Sequence, residues 1–251
     1  MLSAERRQLI LETLGRDGKV VAADLSATLG VSHDTIRRDL QELAEAGLLR
    51  RVHGGALPPN LIPLGYAERE RQAPAAKRAL AKAAARLLPH EAVVVLAGGT
   101  SVVELAREVP HELRATIFTT SPPVAIELAS RPHLDIHLIG GRFEKAALEA
   151  MGAAAVDALR RVQADLCFFS VWAIHPELGV SVGHVDDVPT LRAMIAGAAE
   201  VVAIATADKL GTAAPFVVVP IEELTQLVTE RAAADALVAP YERAGVTVLR
   251  A

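Results

Sequence analysis

From about residue 70 to the end of the chain, seven short runs rich in β-branched residues recur: AVVVL, TIFTT, DIHLIG, DLCFFSV, VVAIAT, LVTE and VTVL. Alanine-rich segments long enough for helices separate them. No other feature limits the fold as much. Each run has the length of a buried strand, and a sheet of such strands joined by helical crossovers is mostly parallel, with both faces covered. With 251 residues, 51% of them apolar, the chain has the material for a sizeable core, as one large domain or a small one plus a medium one.

Several classes of function drop out early. A single cysteine, Cys167, cannot build a disulfide framework, and its place in ADLCFFSV reads as a small buried hydrophobe. No segment approaches the roughly 18 to 20 uninterrupted apolar residues of a membrane span. The opening MLSAERRQLI lacks the apolar stretch of a signal peptide, so a cytoplasmic protein is expected. The net charge of −4 argues against nonspecific coating of nucleic acid, but a local DNA-reading surface depends on where charge is placed.

The first 57 residues have a different pattern. Ser3 caps a helix whose Leu9, Ile10, Thr13 and Leu14 share a face, and Gly15 to Gly18 end it. Val20-Val21 reads as a very short strand and AADLSATL as a second helix ended by Gly30. Ser32 then caps a third helix, in which Ile36, Leu40 and Leu43 recur at helical spacing. LLRRV followed by His-Gly-Gly suits a small hairpin.

Two short helices joined by a tight turn and followed by a hairpin form a winged helix-turn-helix. With the leucines turned inward, Ser32, His33, Asp34, Thr35, Arg37 and Arg38 are free to meet a DNA groove. The N-terminal helix dipole favours a phosphate there, and the arginines suit either phosphate or guanine. Arg50, Arg51 and His53 lie in the wing, where flanking backbone would pass. Asp34, Asp39, Glu42 and Glu45 nearly cancel the arginines of the third helix, so modest affinity raised by dimer or tetramer avidity is expected. The competing reading of Arg37-Arg38 is a solvated helix with pairs such as Asp34-Arg38.

Residues 5 to 56 resemble the DeoR family of bacterial transcriptional regulators. The family's motif is met by Val31, Ser32, Thr35, Ile36, Arg37, Arg38, Asp39, Leu40, Leu43, Gly47, Leu49, Arg51, His53, Gly54, Gly55 and Ala56. The resemblance implies a sequence-specific regulator, usually a repressor, partnered by double-stranded operator DNA.

After PPNLIPLGY, whose prolines mark residues 58–69 as a linker, the larger unit spans 70–251. Ala97-Gly98-Gly99-Thr100-Ser101 follows AVVVL and opens a helix, the makings of a backbone N–H cradle for phosphate. Thr119-Thr120-Ser121, Gly140-Gly141-Arg142 and Asp208-Lys209-Leu210-Gly211 also follow strands. In a parallel sheet these turns gather at one edge, where ligands bind.

The resemblance continues to the chain end and implies a domain with a sugar-phosphate isomerase fold that senses a phosphorylated sugar or related metabolite. Lys77 fits a position that is often lysine in the family. The expected ligand set is thus Lys77, Gly98, Gly99, Thr100, Ser101, Thr120, Ser121, Gly141, Arg142, Trp172, Asp187 and Lys209, with no cofactor and no metal.

Departures from the family pattern bear on activity. Ala97 replaces an acid at the first turn. Trp172 and His175 stand where relatives carry acids that correspond to isomerase catalytic positions, and Leu191 replaces a lysine. Without a positioned base, proton abstraction is not expected. Trp172 either stacks on a ligand or fills the core, and Asp186-Asp187 is either a sugar-hydroxyl acceptor or a solvated pair. The leading expectation is a metabolite-controlled repressor of carbohydrate or related catabolic genes. The alternative is a sugar-phosphate isomerase-like enzyme with an N-terminal assembly domain.

Overall fold

A computed structural model describes residues 2–17, 20–46, 48–52, 54–57 and 65–251. The N-terminal unit comprises α1 (Ser3–Asp17), β1 (Val20–Val21), α2 (Ala22–Leu29), α3 (His33–Glu45), β2 (Arg50–Val52) and β3 (Gly55–Leu57). Its strands form an antiparallel sheet in the order β1-β3-β2. A compact core of Ile10, Leu14, Val20, Leu25, Ile36, Leu40, Leu43 and Leu49 holds the unit together.

Two backbone devices shape the turn. Gly30 ends α2 at φ 63°, a left-handed conformation that costs glycine little. Ser32 Oγ accepts the Thr35 N–H at 3.2 Å, capping α3. The face of α1 differs from expectation. Leu9 is exposed, and Arg6 takes the inward place one turn before Ile10. It can do so because Asp39 of α3 meets it there.

The larger unit begins with α4 (Tyr66–Arg71) and α5 (Pro74–Ala85), then runs β4 (Ala92–Leu96), α6 (Thr100–Glu108), β5 (Ala115–Thr119), α7 (Pro122–Leu128) and β6 (Leu134–Leu138). A hairpin of β7 (Arg142–Glu144) and β8 (Glu149–Met151) precedes α8 (Ala153–Leu159) and β9 (Ala164–Ser170). There follow β10 (Ala173–His175), β11 (Gly179–Val182), α9 (Asp187–Ala196), β12 (Ala198–Ile204), β13 (Phe216–Val219), β14 (Gln226–Thr229), α10 (Asp235–Arg243) and β15 (Thr247–Arg250).

All seven anticipated strands join one parallel sheet, in the order β15-β14-β12-β9-β4-β5-β6. Successive residues feed opposite faces. Val94, Leu96, Leu166 and Phe168 pack under α5, α6 and α7, whereas Val95, Cys167, Phe169 and Ala203 pack with α8, α9 and α10. Cys167 is fully buried, and burial pushes its thiol up to about 12, which leaves it inert. A second, antiparallel sheet orders β10-β11-β13.

The chain leaves β4 in one direction through β5 and β6, and later in the other through β9, β12, β14 and β15. The gap beyond the carboxyl ends of β4 and β9 is therefore a topological switch point, where such sheets bind ligands. Among the described residues no helix is long and apolar enough to cross a membrane.

Candidate functional site

On the N-terminal unit, α3 presents Ser32, His33, Asp34, Arg37 and Arg38 outward, with Thr35 partly covered by the cap. Arg37 lies 3.4 Å from Asp34, both side chains mostly exposed, so the pair is loose. The anticipated Asp34-Arg38 pair does not form. Arg38 is exposed and pairs with no carboxylate among the described residues. Arg51 of β2 reaches Gln41 on α3, which ties the wing to the helix. The Arg50 side chain and all of His53 lie outside the described residues.

The charge balance of α3 departs from the sequence reading. Asp39 is turned inward and takes Arg6 through Nε and Nη2, the second bond at 3.1 Å. That hydrogen bond raises the Arg6 guanidinium above its ordinary range. Glu42 is engaged by Arg7 of α1, and Glu45 accepts from Gln41. Two of the four acids counted against the arginines are thus matched by α1. The outward end of α3 is more positive than its composition suggests.

At the switch point of the large sheet lies a cavity of about 730 Å³. Eight of the anticipated ligand residues line it: Lys77, Gly98, Gly99, Thr100, Ser101, Trp172, Asp187 and Lys209. Gly99, at φ 98°, has no room for a Cβ, which would lie 2.7 Å from Ser170. Ser170 Oγ in turn accepts the Val102 N–H at 3.2 Å, fixing the start of α6.

Three cations converge on this space. Burial depresses Lys77, and the charges of Lys209 and Arg69 depress it further. Lys77 Nζ donates to the Arg69 carbonyl, and Lys209 pairs with Asp208 at 3.1 Å. Asp208 stays below the usual carboxylate range although partial desolvation opposes this, through Thr206 and Lys209. Like charges held together at a Gly-rich helix start suit an anion.

The rest of the lining is mixed. The Arg69 guanidinium lies 5.5 Å from the centre of the Trp172 ring. Burial pulls Arg69 below its ordinary value. Buried Arg69 Nε, Trp172 Nε1 and Thr190 Oγ1 make no hydrogen bond within the protein, and all three residues line the cavity. Burial raises Asp187, and burial with the nearby Asp187 charge raises Glu149 to about 7. Donors without partners beside two carboxylates match a ligand bearing several hydroxyls.

Four anticipated ligand residues stand elsewhere. Thr120 and Ser121 are fully buried behind the cavity wall, where Thr120 Oγ1 faces Glu149 at 3.5 Å. Gly141 packs against β8, where a Cβ would lie 2.6 Å from the Met151 carbonyl. Arg142 opens β7 and pairs with Glu144 at 2.8 Å and Asp186 at 2.9 Å, away from the cavity. For Gly141 and Arg142 the physical reason is position: β6 is an edge strand, two removed from the switch point, so its turn feeds the hairpin.

His175 is buried on β10, its Nδ1 accepting the Glu177 and Leu178 N–H groups, and does not line the cavity. Among the described residues no histidine, cysteine and carboxylate cluster could hold a metal ion. Sequence reasoning missed Arg69, Gln72 and Glu149, which line the cavity from α4, from the joint after it and from the β7–β8 hairpin.

Comparison with known proteins adds the context. Residues 6–60 match the DeoR-like helix-turn-helix domain, and residues 72–231 match the DeoR C terminal sensor domain. The chain is 34% identical over 252 residues to the HTH-type transcriptional regulator GlpR of Haloferax volcanii, covering 99% of this chain and 98% of that one. It is 29% identical to the HTH-type transcriptional repressor GlcR of Bacillus subtilis, covering 99% and 96%. Among solved structures, ribose 5 phosphate isomerase A from Neisseria gonorrhoeae matches 53% of this chain and 52% of that one, at TM-score 0.40 and 13% identity. At that level no chemistry carries over.

Proposed function

Because the chain belongs to the DeoR family of transcriptional regulators and is not an enzyme, we propose that it represses genes of carbohydrate or related catabolism and releases its operator when a phosphorylated sugar or similar metabolite fills the cavity. The observation that carries the DNA-reading half is the outward end of α3. Arg37 and Arg38 are exposed there beside a capped helix start, while Asp39 and Glu42 are matched by α1. Such an end suits the major groove, with Arg51 on the wing near the flanking backbone. In this reading the protein works in the cytoplasm as a dimer or tetramer, whose two or more copies of α3 read a repeated operator.

The cavity supports the sensing half. Lys77, Lys209 and the Gly98-Gly99-Thr100-Ser101 turn are suited to phosphate, and Arg69, Trp172, Thr190 and Asp187, which line the same cavity, are suited to hydroxyls. A ligand controls DNA binding only through a difference in affinity between the two states of the protein. Fluorescence anisotropy on the promoter adjoining the gene, titrated with a panel of sugar phosphates, tests both halves. One member of the panel should release the duplex, whereas the matching unphosphorylated sugar should not. Specific DNA binding that no phosphosugar or nucleotide alters would refute the sensing half. Absence of any specific promoter binding at low salt would refute the DNA half.

A further inference from the structure

Glu149 reaches the cavity from the β7–β8 hairpin, a place that strand-end turns do not predict. Its carboxyl group packs directly against the Gly98 backbone, which helps hold it toward the charged form, and faces Thr120 Oγ1 at 3.5 Å. A Cβ at position 98 would overlap that carboxylate, so the glycine is what allows the approach. The backbone of the glycine turn is therefore already covered by an acidic side chain belonging to the chain.

That hold is an uneasy one. The hydroxyl contact is at the limit of hydrogen bonding, and the preceding Leu148 has φ 55°, a left-handed conformation that side chains rarely adopt. Charged and titratable groups face Glu149 or its neighbours from every side. Arg69 comes from α4 and Lys77 from α5. Asp187 opens α9, with His184 and Asp186 just before it. Glu144 stands on β7, and Asp208 and Lys209 follow β12. The hairpin is also tied to the helix that leads back toward the N-terminal unit. The Ala146 carbonyl accepts the Tyr66 N–H and Arg69 Nη2, each at 3.1 Å.

We propose that Glu149 is an internal occupant of the anion cradle, which an anionic ligand displaces from the Gly98 backbone, and that the displaced hairpin passes the change to α4 through Ala146. This rests on the reading of the cavity as an anion site. It adds that the site is self-occupied when empty of ligand, and that Glu149 sets how strongly an anion must bind to enter. Glu149 acts by positioning and competition.

Inorganic sulfate is a suitable probe, because it keeps its charge across the pH range in which Glu149 titrates. Trp172 is the only tryptophan and lines the cavity, so its fluorescence reports sulfate binding, with calorimetry as a second readout. Four full-length proteins are compared at pH 8: the parent, Glu149→Ala, Glu149→Gln and Asp187→Asn. Removing a charged competitor from the Gly98 backbone should tighten sulfate by about tenfold in Glu149→Ala. Asp187→Asn removes a cavity charge without freeing Gly98 and should gain about threefold or less. Glu149→Gln should fall between, since its uncharged amide still covers the Gly98 backbone. In the parent, sulfate should bind more tightly as pH falls from 8 to 6. That gain should be lost in Glu149→Ala and kept in His184→Gln.

Sulfate binding by the parent that Glu149→Ala tightens no more than Asp187→Asn does would overturn this proposal alone. Sulfate binding by none of the proteins would overturn the anion-site reading and this proposal with it. The α4 leg is read separately by amide hydrogen exchange. Sulfate should alter exchange at residues 66–71 and 142–151, and unchanged exchange at 66–71 would remove α4 from the proposal.

Discussion

Replacing Asp39 with alanine separates two accounts of the acids on α3. If Asp39 were an outward charge opposing DNA, its removal would strengthen operator binding and leave stability nearly unchanged. In the structure it is a buried acceptor of two Arg6 bonds, the Asp39 side chain 5% exposed and the Arg6 side chain 11% exposed. Breaking a buried pair leaves a charge without a partner, at a cost of about 3–5 kcal/mol. Arg6 keeps a strip of surface, so the lower end, ~3 kcal/mol, is expected. That cost falls on a small unit, whose core has ten buried apolar residues among the described ones. Urea denaturation followed by circular dichroism, with operator anisotropy in parallel, measures both consequences. Asp39→Ala should lower the stability of the N-terminal unit and weaken DNA binding. Arg6→Ala should do much the same, and Arg6→Ala with Asp39→Ala should cost clearly less than the sum of the two. Stronger operator binding at unchanged stability in Asp39→Ala would refute the reasoning.

Three further outcomes follow from the same geometry. Arg38→Ala should cost ~1–3 kcal/mol of operator affinity if it reads a base; a loss that is equal on all sequences, with a smaller salt slope, would assign it to phosphate instead. Lys209→Ala should abolish the response to ligand while operator binding stays intact, as anisotropy with and without ligand will show; an unchanged response would remove Lys209 from the anion site. Glu149 is raised from 4.5 to about 7 in the folded chain, so its contribution to stability is fully present below about pH 4.5 and is lost as pH rises through 7. Glu149→Gln should accordingly be more stable than the parent above pH 7, the difference vanishing near pH 4.5 in thermal melts, and a gap independent of pH would contradict this.

What could be read from the sequence follows the periodicities. The seven strands of the parallel sheet were legible because burial on both faces makes each a continuous apolar run, as in AVVVL and VVAIAT. The helix-turn-helix was legible because Ser32, Ile36, Leu40 and Leu43 combine a cap with a helical repeat. The turns after β4 and β12 line the cavity, because both strands pair with β9 beside the switch point. The turn after β6 was expected there too and does not line it, since strand order is invisible until pairing is known. The three-residue strands β7, β8 and β10 were too short to signal themselves, whereas β11 and β13 are as long as the legible β14 and β15 and were passed over. Arg69 and Glu149 were missed because a linker helix and a hairpin bring them in, and no local pattern marks either. Asp39 was miscounted for a related reason. Its partner Arg6 is 33 residues away, and the sequence gives no sign that α1 crosses that face of α3.

The central claim is that the outward end of α3 reads DNA sequence. It is tested most directly by anisotropy of the full-length protein on the promoter duplex beside its own gene and on a shuffled duplex of equal length and composition, at matched salt. The account predicts a preference for the promoter of about a thousandfold or more, collapsing toward the shuffled value when Arg37 and Arg38 are both replaced by alanine. Equal affinity for the two duplexes, or a preference that survives the double replacement, would contradict it.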